Sequence, residues 1–239
     1  MTFATHWDKI SIDMLQKAPS GKAILSHYPV DASINLDEQM AAGVPTARIC
    51  GAEFSVREFG IIRLDGNRAL KDTSNSDTPR FTPFVAAGYY VAHSDFLRDV
   101  PFDPLYPWLF TGEEILLSAR LWTHGYDIFA PTHSVVGHIY YRLNKPKFWE
   151  SMGRLYWPGI HAPLQDLVSY RVKYLLRYPE CARDMIQPKS LLTSIGRFGM
   201  GSNRTIEEYL KFAGIDPIRK YIDTERTEWC VAGQHPLTA

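Results

Sequence analysis

The densest chemistry in the chain lies between residues 110 and 142. Gly112-Glu113-Glu114 opens a helical pattern there, and Val136-Gly137-His138 sits in a strand-like run ending at Arg142. Two adjacent carboxylates at a helix start can accept hydrogen bonds from hydroxyl groups, and bonds to an ionised acceptor are the stronger kind. A histidine can ligate a divalent cation. Each of these residues also has an ordinary explanation. Thr111-Gly112-Glu113-Glu114 matches the S/T-x-x-E capping box, in which Glu114 reaches back to the Thr111 N–H. Glu113 would then only complement the helix dipole. His138, flanked by apolar residues, taken alone reads more readily as a satisfied core histidine. Arg142 suits a phosphate or a structural carboxylate equally. The histidines follow no HxH or HExxH spacing, so no all-histidine zinc site is visible. A metal hydrolase built on Glu114 and His138 lacks further ligands at useful spacing.

The elements that must position these residues are legible in outline. Residues 111–124 form a marked helix with Gly125 as its stop. Residues 5–17 read as an amphipathic helix with Trp7, Ile10 and Met14 on one side. Strand patterns cover residues 22–28, 46–56, 59–64, 84–92 (interrupted by Gly88), 127–130 and 134–141. Residues 22–28, 84–92 and 134–141 are expected in one sheet with the 111–124 helix packed on it. Residues 30–44 read as an irregular connection, residues 67–80 as a mobile polar loop after the Asp65-Gly66 turn, and 101–108, with three prolines, as an extended loop. Helices are expected over 147–155, 163–177 and 205–213. The fold class is therefore α/β: a single domain over 1–239, with a mixed core over 1–142 and a mainly helical region over 143–239.

Composition narrows the field. Lys+Arg and Asp+Glu both number 26, so a formally neutral chain carries no global attraction to nucleic acid or to an anionic membrane. No stretch approaches a membrane span, and residues 1–15 lack the apolar core of a signal peptide. Cys50, Cys181 and Cys230 are widely spaced and odd in number; they read as three reduced thiols, favouring a reducing, cytoplasmic setting.

The ordered run Phe110, Gly112-Glu113-Glu114-Ile115, Ala119 to Asp127 and His138 resembles a family of N-acetylglucosaminyltransferases that modify hydroxyproline on a cytosolic ubiquitin-ligase adaptor. It is similar, more distantly, to the Gly-Gly-Glu-Asn helix and Val-Gly-His strand of the polypeptide N-acetylgalactosaminyltransferases. Ala87-Gly88-Tyr89, Val100 to Pro104, Phe198 to Gly201 and Glu208-Tyr209 extend the likeness from residue 1 to about 215. The resemblance implies the acceptor and metal part of a GT-A fold with a helical C-terminal layer. It implies transfer of N-acetylglucosamine from UDP-GlcNAc to a protein hydroxyl, with Mn²⁺ or Mg²⁺ as cofactor. Glu113 and Glu114 become donor-positioning catalytic residues, His138 a metal ligand, and Gly88, Asp103, Gly112 and Arg142 substrate-binding residues. Gly88 would leave room for the sugar to approach the backbone. Aromatic and basic residues of 141–178, Lys145, Trp149 and Trp157 among them, would suit a polypeptide acceptor groove or ordinary helix packing. The family's Asp-Ser-His is followed by Met-x-Phe and Trp-Asp; this chain has Met1-Thr2-Phe3 and Trp7-Asp8. The resemblance thus places the remaining metal ligands just before Met1 and a nucleotide-binding half upstream. A bared sheet edge would then favour self-association. The alternative is a non-catalytic carbohydrate- or protein-binding module.

Overall fold

The computed structural model describes residues 1–56, 60–66, 69–71, 77–143, 146–148, 151, 158–181 and 189–232. Its centre is a four-stranded mixed sheet in the order Arg80–Phe81, Asp127–Ala130, Ala23–Ser26, Tyr90–Ala92. The middle two strands run parallel, Ile24 beside Ile128 and Leu25 beside Phe129. Parallel strands buried on both faces need no polar alternation, and here successive residues part to opposite sides. Ile24 and Ile128 join one apolar cluster with Val85 and Leu121. Leu25 and Phe129 join another with Ile115, Ala119 and Trp122. The fold is α/β, as the mixed strand and helix patterns predicted.

The strand Val136–His138 does not join this sheet, contrary to expectation. It pairs with Thr2–Phe3 and Val30–Asp31 in a second, three-stranded sheet. Two residues explain the separation. Pro131 follows the strand Asp127–Ala130 and cannot donate to a ladder. Gly137 then lets its partners close in, since a Cβ there would come 3.1 Å from Ala32 Cα and closer still to Thr2 Oγ1.

The segment 84–92 is a strand only over Tyr90–Ala92. Residues 84–86 are buried but leave the sheet, and the alternate N–H groups of Val85 and Ala87 are claimed by a helix. Val85 N–H donates to Ser118 Oγ at 2.8 Å and Ala87 N–H donates to Glu114 Oε1 at 2.8 Å. Positions four apart share a helix face, so the pair matches the two-residue repeat of an extended chain. Residues 30–44 are more regular than expected, holding the strand Val30–Asp31 and the helix Leu36–Ala41, whose first turn is capped by Asn35. Within 67–80, expected as loop, Ala69–Lys71 pairs with Ala47–Ile49 and Arg80–Phe81 joins the central sheet; residues 67–68 and 72–76 lie outside the described residues.

The cysteines depart from the expectation of three reduced thiols. Cys50 and Cys230 form a disulfide with Cα atoms 5.8 Å apart, leaving Cys181 as the free, buried thiol. The partners are 180 residues apart in sequence, so spacing carried no signal of their meeting. The argument from three reduced thiols for a reducing compartment falls with this pairing. Among the described residues no helix is long and apolar enough to cross a membrane.

Candidate active site

The helix Glu113–Thr123 carries the site at its amino end. Gly112 precedes it with φ +99°, a left-handed conformation that suits glycine. A Cβ there would also meet Ile61 Cγ2 at 2.8 Å, so Gly112 serves backbone shape and packing together. No side chain caps this end. The capping-box explanation is thereby removed, because Glu114 turns away from Thr111 toward the core.

Glu114 is fixed from two sides. The Tyr28 hydroxyl donates to Oε2 at 2.7 Å and the Ala87 N–H to Oε1. Both donors are positioned by the carboxyl end of the strand Ala23–Ser26. Ser26 Oγ accepts from Ala86 N–H and donates to Tyr89 O, holding the turn that aims the Ala87 N–H. Two residues after that strand, Tyr28 reaches the carboxylate. Burial raises the Glu114 pKa, while Ala87 and Tyr28 oppose the rise by stabilising the charged form. Burial, with Glu114 beside it, holds the Tyr28 phenol protonated.

Glu113 and Glu114, with Ala87, line two neighbouring cavities of about 210 and 320 Å³. The smaller is walled by Val85, Phe102, Leu109 and Leu117, with Asp103, Tyr106 and Arg120 as its polar groups. The larger is lined by the helix start and by Ile62, Arg63 and Leu64 of a neighbouring strand. Each carboxylate oxygen has two lone pairs, so even the engaged Glu114 keeps capacity for a ligand hydroxyl.

The remaining predicted residues divide. Asp103 lines the smaller cavity, yet both its oxygens are engaged by protein: Leu105 N–H donates to Oδ1, and Arg171 Nε and Nη2 donate to Oδ2. That ion pair is buried, with side-chain exposures of 0% and 1%. At Gly88 a Cβ would meet Pro29 Cδ at 2.7 Å, so the protein's own proline occupies the room the sequence suggested for a sugar. His138 lies on the second sheet and lines neither cavity. It is linked to the carboxylates through a relay: its ring lies 4.6 Å from the Tyr140 ring, Tyr140 donates to Pro29 O, and Tyr28 next door donates to Glu114. Burial lowers the His138 pKa, Arg142 adds to that, and Asp31 on the paired strand opposes it. Its Nδ1 is buried without a hydrogen-bond partner. Against a divalent cation, His138 offers one imidazole, and among the described residues no group of three or more His, Cys, Asp or Glu is arranged around an ion. The residues described do not make a metal site by themselves.

Tyr28 and Tyr106 are the residues that sequence reading missed. Tyr28 follows a buried strand and has no motif of its own; only the strand's direction shows that it ends at the helix start. The acceptor-groove residues Lys145, Trp149 and Trp157 lie outside the described residues.

The α/β fold thus sets two adjacent carboxylates, Glu114 anchored by Tyr28 and Ala87, at a helix start beside cavities near the carboxyl end of a parallel strand. The chain belongs to the Glycosyltransferase (GlcNAc) family, whose model matches residues 1–219. No curated protein and no solved structure matches it.

Proposed function

We propose that the chain acts in the transfer of N-acetylglucosamine from UDP-GlcNAc to a protein hydroxyl of the hydroxyproline type, as part of a GT-A arrangement. The observation that carries this reading is the carboxylate pair between two cavities in a chain of this family. Glu113 accepts hydrogen bonds from donor-sugar hydroxyls, and Glu114, held by Tyr28 and Ala87, supplies a fixed negative charge beside it. Their contribution is positioning and electrostatics in a site that need not reorganise during the reaction. Metal dependence, with Mn²⁺ or Mg²⁺ and His138 as one ligand, belongs to the same reading and is tested separately.

The experiment is UDP-GlcNAc hydrolysis and transfer to a hydroxyproline peptide, followed against Mn²⁺ concentration. Glu113→Gln is expected to lower turnover more than it weakens nucleotide binding, because it touches the sugar and not the base. His138→Ala is expected to remove most of the metal-dependent rate. Wild-type metal dependence in His138→Ala would return this histidine to a packing role. Sugar binding without any transfer would identify a binding module instead.

A further inference from the structure

We infer that His27 is a positioning residue of the candidate site: its imidazole, donating from Nδ1 to the Tyr28 carbonyl, holds in place both donors that fix Glu114; this rests on the reading of Glu114 as a functional carboxylate. His27 directly follows the strand Ala23–Ser26, immediately before Tyr28, and is fully buried. Its Nδ1 lies 2.7 Å from Tyr28 O. A carbonyl oxygen only accepts, so the ring carries its proton on Nδ1. The bond fixes the plane of the peptide between Tyr28 and Pro29, and with it the direction in which the Tyr28 side chain leaves the strand end.

The same ring meets the second support of Glu114. It lies 5.0 Å from the Tyr89 ring, centroid to centroid. Tyr89 closes the turn over 86–89 that aims the Ala87 N–H. Its carbonyl accepts from Ser26 Oγ, and its hydroxyl is hydrogen-bonded to Ser11 Oγ at 3.0 Å. Pro29, just beyond the Tyr28 carbonyl, packs against Gly88 of that turn. One imidazole thus stands between the Tyr28 corner and the Tyr89 turn, and Glu114 takes one hydrogen bond from each.

The residue type carries the argument. Position 27 is as buried as Ile24 and Leu25, where the chain uses apolar side chains. The imidazole brings Nε2 into the same surroundings, buried and without a hydrogen-bond partner among the described residues. A buried acceptor left unmade is destabilising, and such exceptions gather where a protein serves a function. What the position gains is the Nδ1–H, which no apolar residue has. Burial lowers the His27 pKa to about 4, with the Tyr28 carbonyl opposing the fall. Above that pH the ring is neutral, and its tautomer is set by the one hydrogen bond it makes.

The test reads the Glu114 carboxyl of the full chain, without any ligand, by carbon-13 NMR titration. The ionisable groups near it are Tyr28, Glu113, Asp103, Tyr106 and Arg120, with Arg63 across the larger cavity and Tyr140 behind Tyr28; a change at His27 removes none of them. His27→Phe keeps a ring and loses the donor, so Tyr28 should release Glu114 in part. The Glu114 midpoint should then rise by about half a pH unit or more, a fraction of what one hydrogen bond to a charged group contributes. His27→Asn, whose amide N–H reaches the place of Nδ1–H, should restore the wild-type midpoint. His27→Gln, whose amide reaches the place of Nε2 instead, should behave as His27→Phe does. A wild-type midpoint in folded His27→Phe and His27→Gln, or an equal rise in His27→Asn, overturns the proposal. If these variants do not fold, nitrogen-15 spectra of the wild-type ring decide: a proton on Nδ1 is expected, and a proton on Nε2 overturns it. The acid limb of UDP-GlcNAc hydrolysis should move with the midpoint. A midpoint that moves while the rate profile stays would overturn the part given to Glu114 in the reaction and leave its anchoring through His27 standing.

Discussion

The two ends of the helix Glu113–Thr123 are built on opposite plans. At the carboxyl end everything is closed by protein. Gly125 adopts φ +86°, and the turn after it is a full Schellman pair: Gly125 N–H donates to Trp122 O and Tyr126 N–H to Leu121 O. Asn203 N–H donates to Thr123 O, and Gly201 N–H donates to Thr123 Oγ1. Arg204 lies over the Trp122 ring at 4.0 Å and pairs with Asp127 at 2.8 Å. At the amino end no side chain caps the helix, and two acids stand between cavities. One helix thus joins an end closed by backbone and side-chain contacts to an end whose two acids line cavities. Such a departure from local optimisation is expected where a protein binds something.

The sharpest test of this contrast is an exchange of readouts. Glu113→Gln at the open end should reduce transfer about 100-fold to 1000-fold, as loss of one fixed electrostatic partner does elsewhere. Its effect on stability should be small beside that rate loss, because glutamine keeps the size of the side chain and one acceptor oxygen. A calorimetric scan beside the rate assay decides it. A large drop in melting temperature with the rate unchanged would make Glu113 structural.

At the closed end the order reverses. Gly201→Ala would bring a Cβ to 2.5 Å from Thr123 O and 2.7 Å from His124 Cγ. Such overpacking costs about 1–3 kcal/mol, or about 2–10 °C in melting temperature for a domain of this size. Sugar affinity should not change. Arg204→Met keeps the stem over Trp122 and removes the charge; the partly buried pair with Asp127 and the contact with the ring make a loss of about 1–2 kcal/mol the expected result. Denaturant midpoints measure both, and a binding defect in either variant would blur the contrast between the ends.

The same contrast marks what was legible beforehand. The closed end was written in local code: Gly125 after an apolar helical run predicts the stop, and the stop is there. Thr205 with Glu208 forms a capping box at the helix Ile206–Phe212, another short-range signal. The open end was legible as residue types, Glu113 and Glu114, but not as geometry. Thr111 and Glu114 sit at capping-box spacing, and only the approach of Tyr28 and Ala87 turns Glu114 away. Those contacts span 86 and 27 residues. The Cys50–Cys230 pair and the assignment of Val136–His138 to a second sheet were hidden for the same reason. Pattern reports which side of an element is apolar; it does not report which distant element covers it.

The smallest predicted effect concerns how Glu114 is kept charged. Its folded pKa is raised by burial, so between the ordinary glutamate value and the folded one the native state binds more protons than the unfolded chain. Stability from this group is therefore greatest at low pH and declines as pH rises through the folded pKa. Sugar binding runs the other way if the carboxylate form is the acceptor, improving as pH rises through the same value. Tyr28 donates to that charged form. Tyr28→Phe removes the donor, so the Glu114 pKa should rise further, and the acid limb of the binding or rate profile should move to higher pH while the plateau changes little. Titration of the Glu114 side-chain carboxyl by carbon-13 NMR, assigned with Glu114→Gln, follows the same shift without any ligand. A Tyr28 that only filled space would lower affinity evenly at every pH and leave both midpoints where they were. A moved midpoint would show that the open end, although uncapped, is tuned by the strand that ends beneath it.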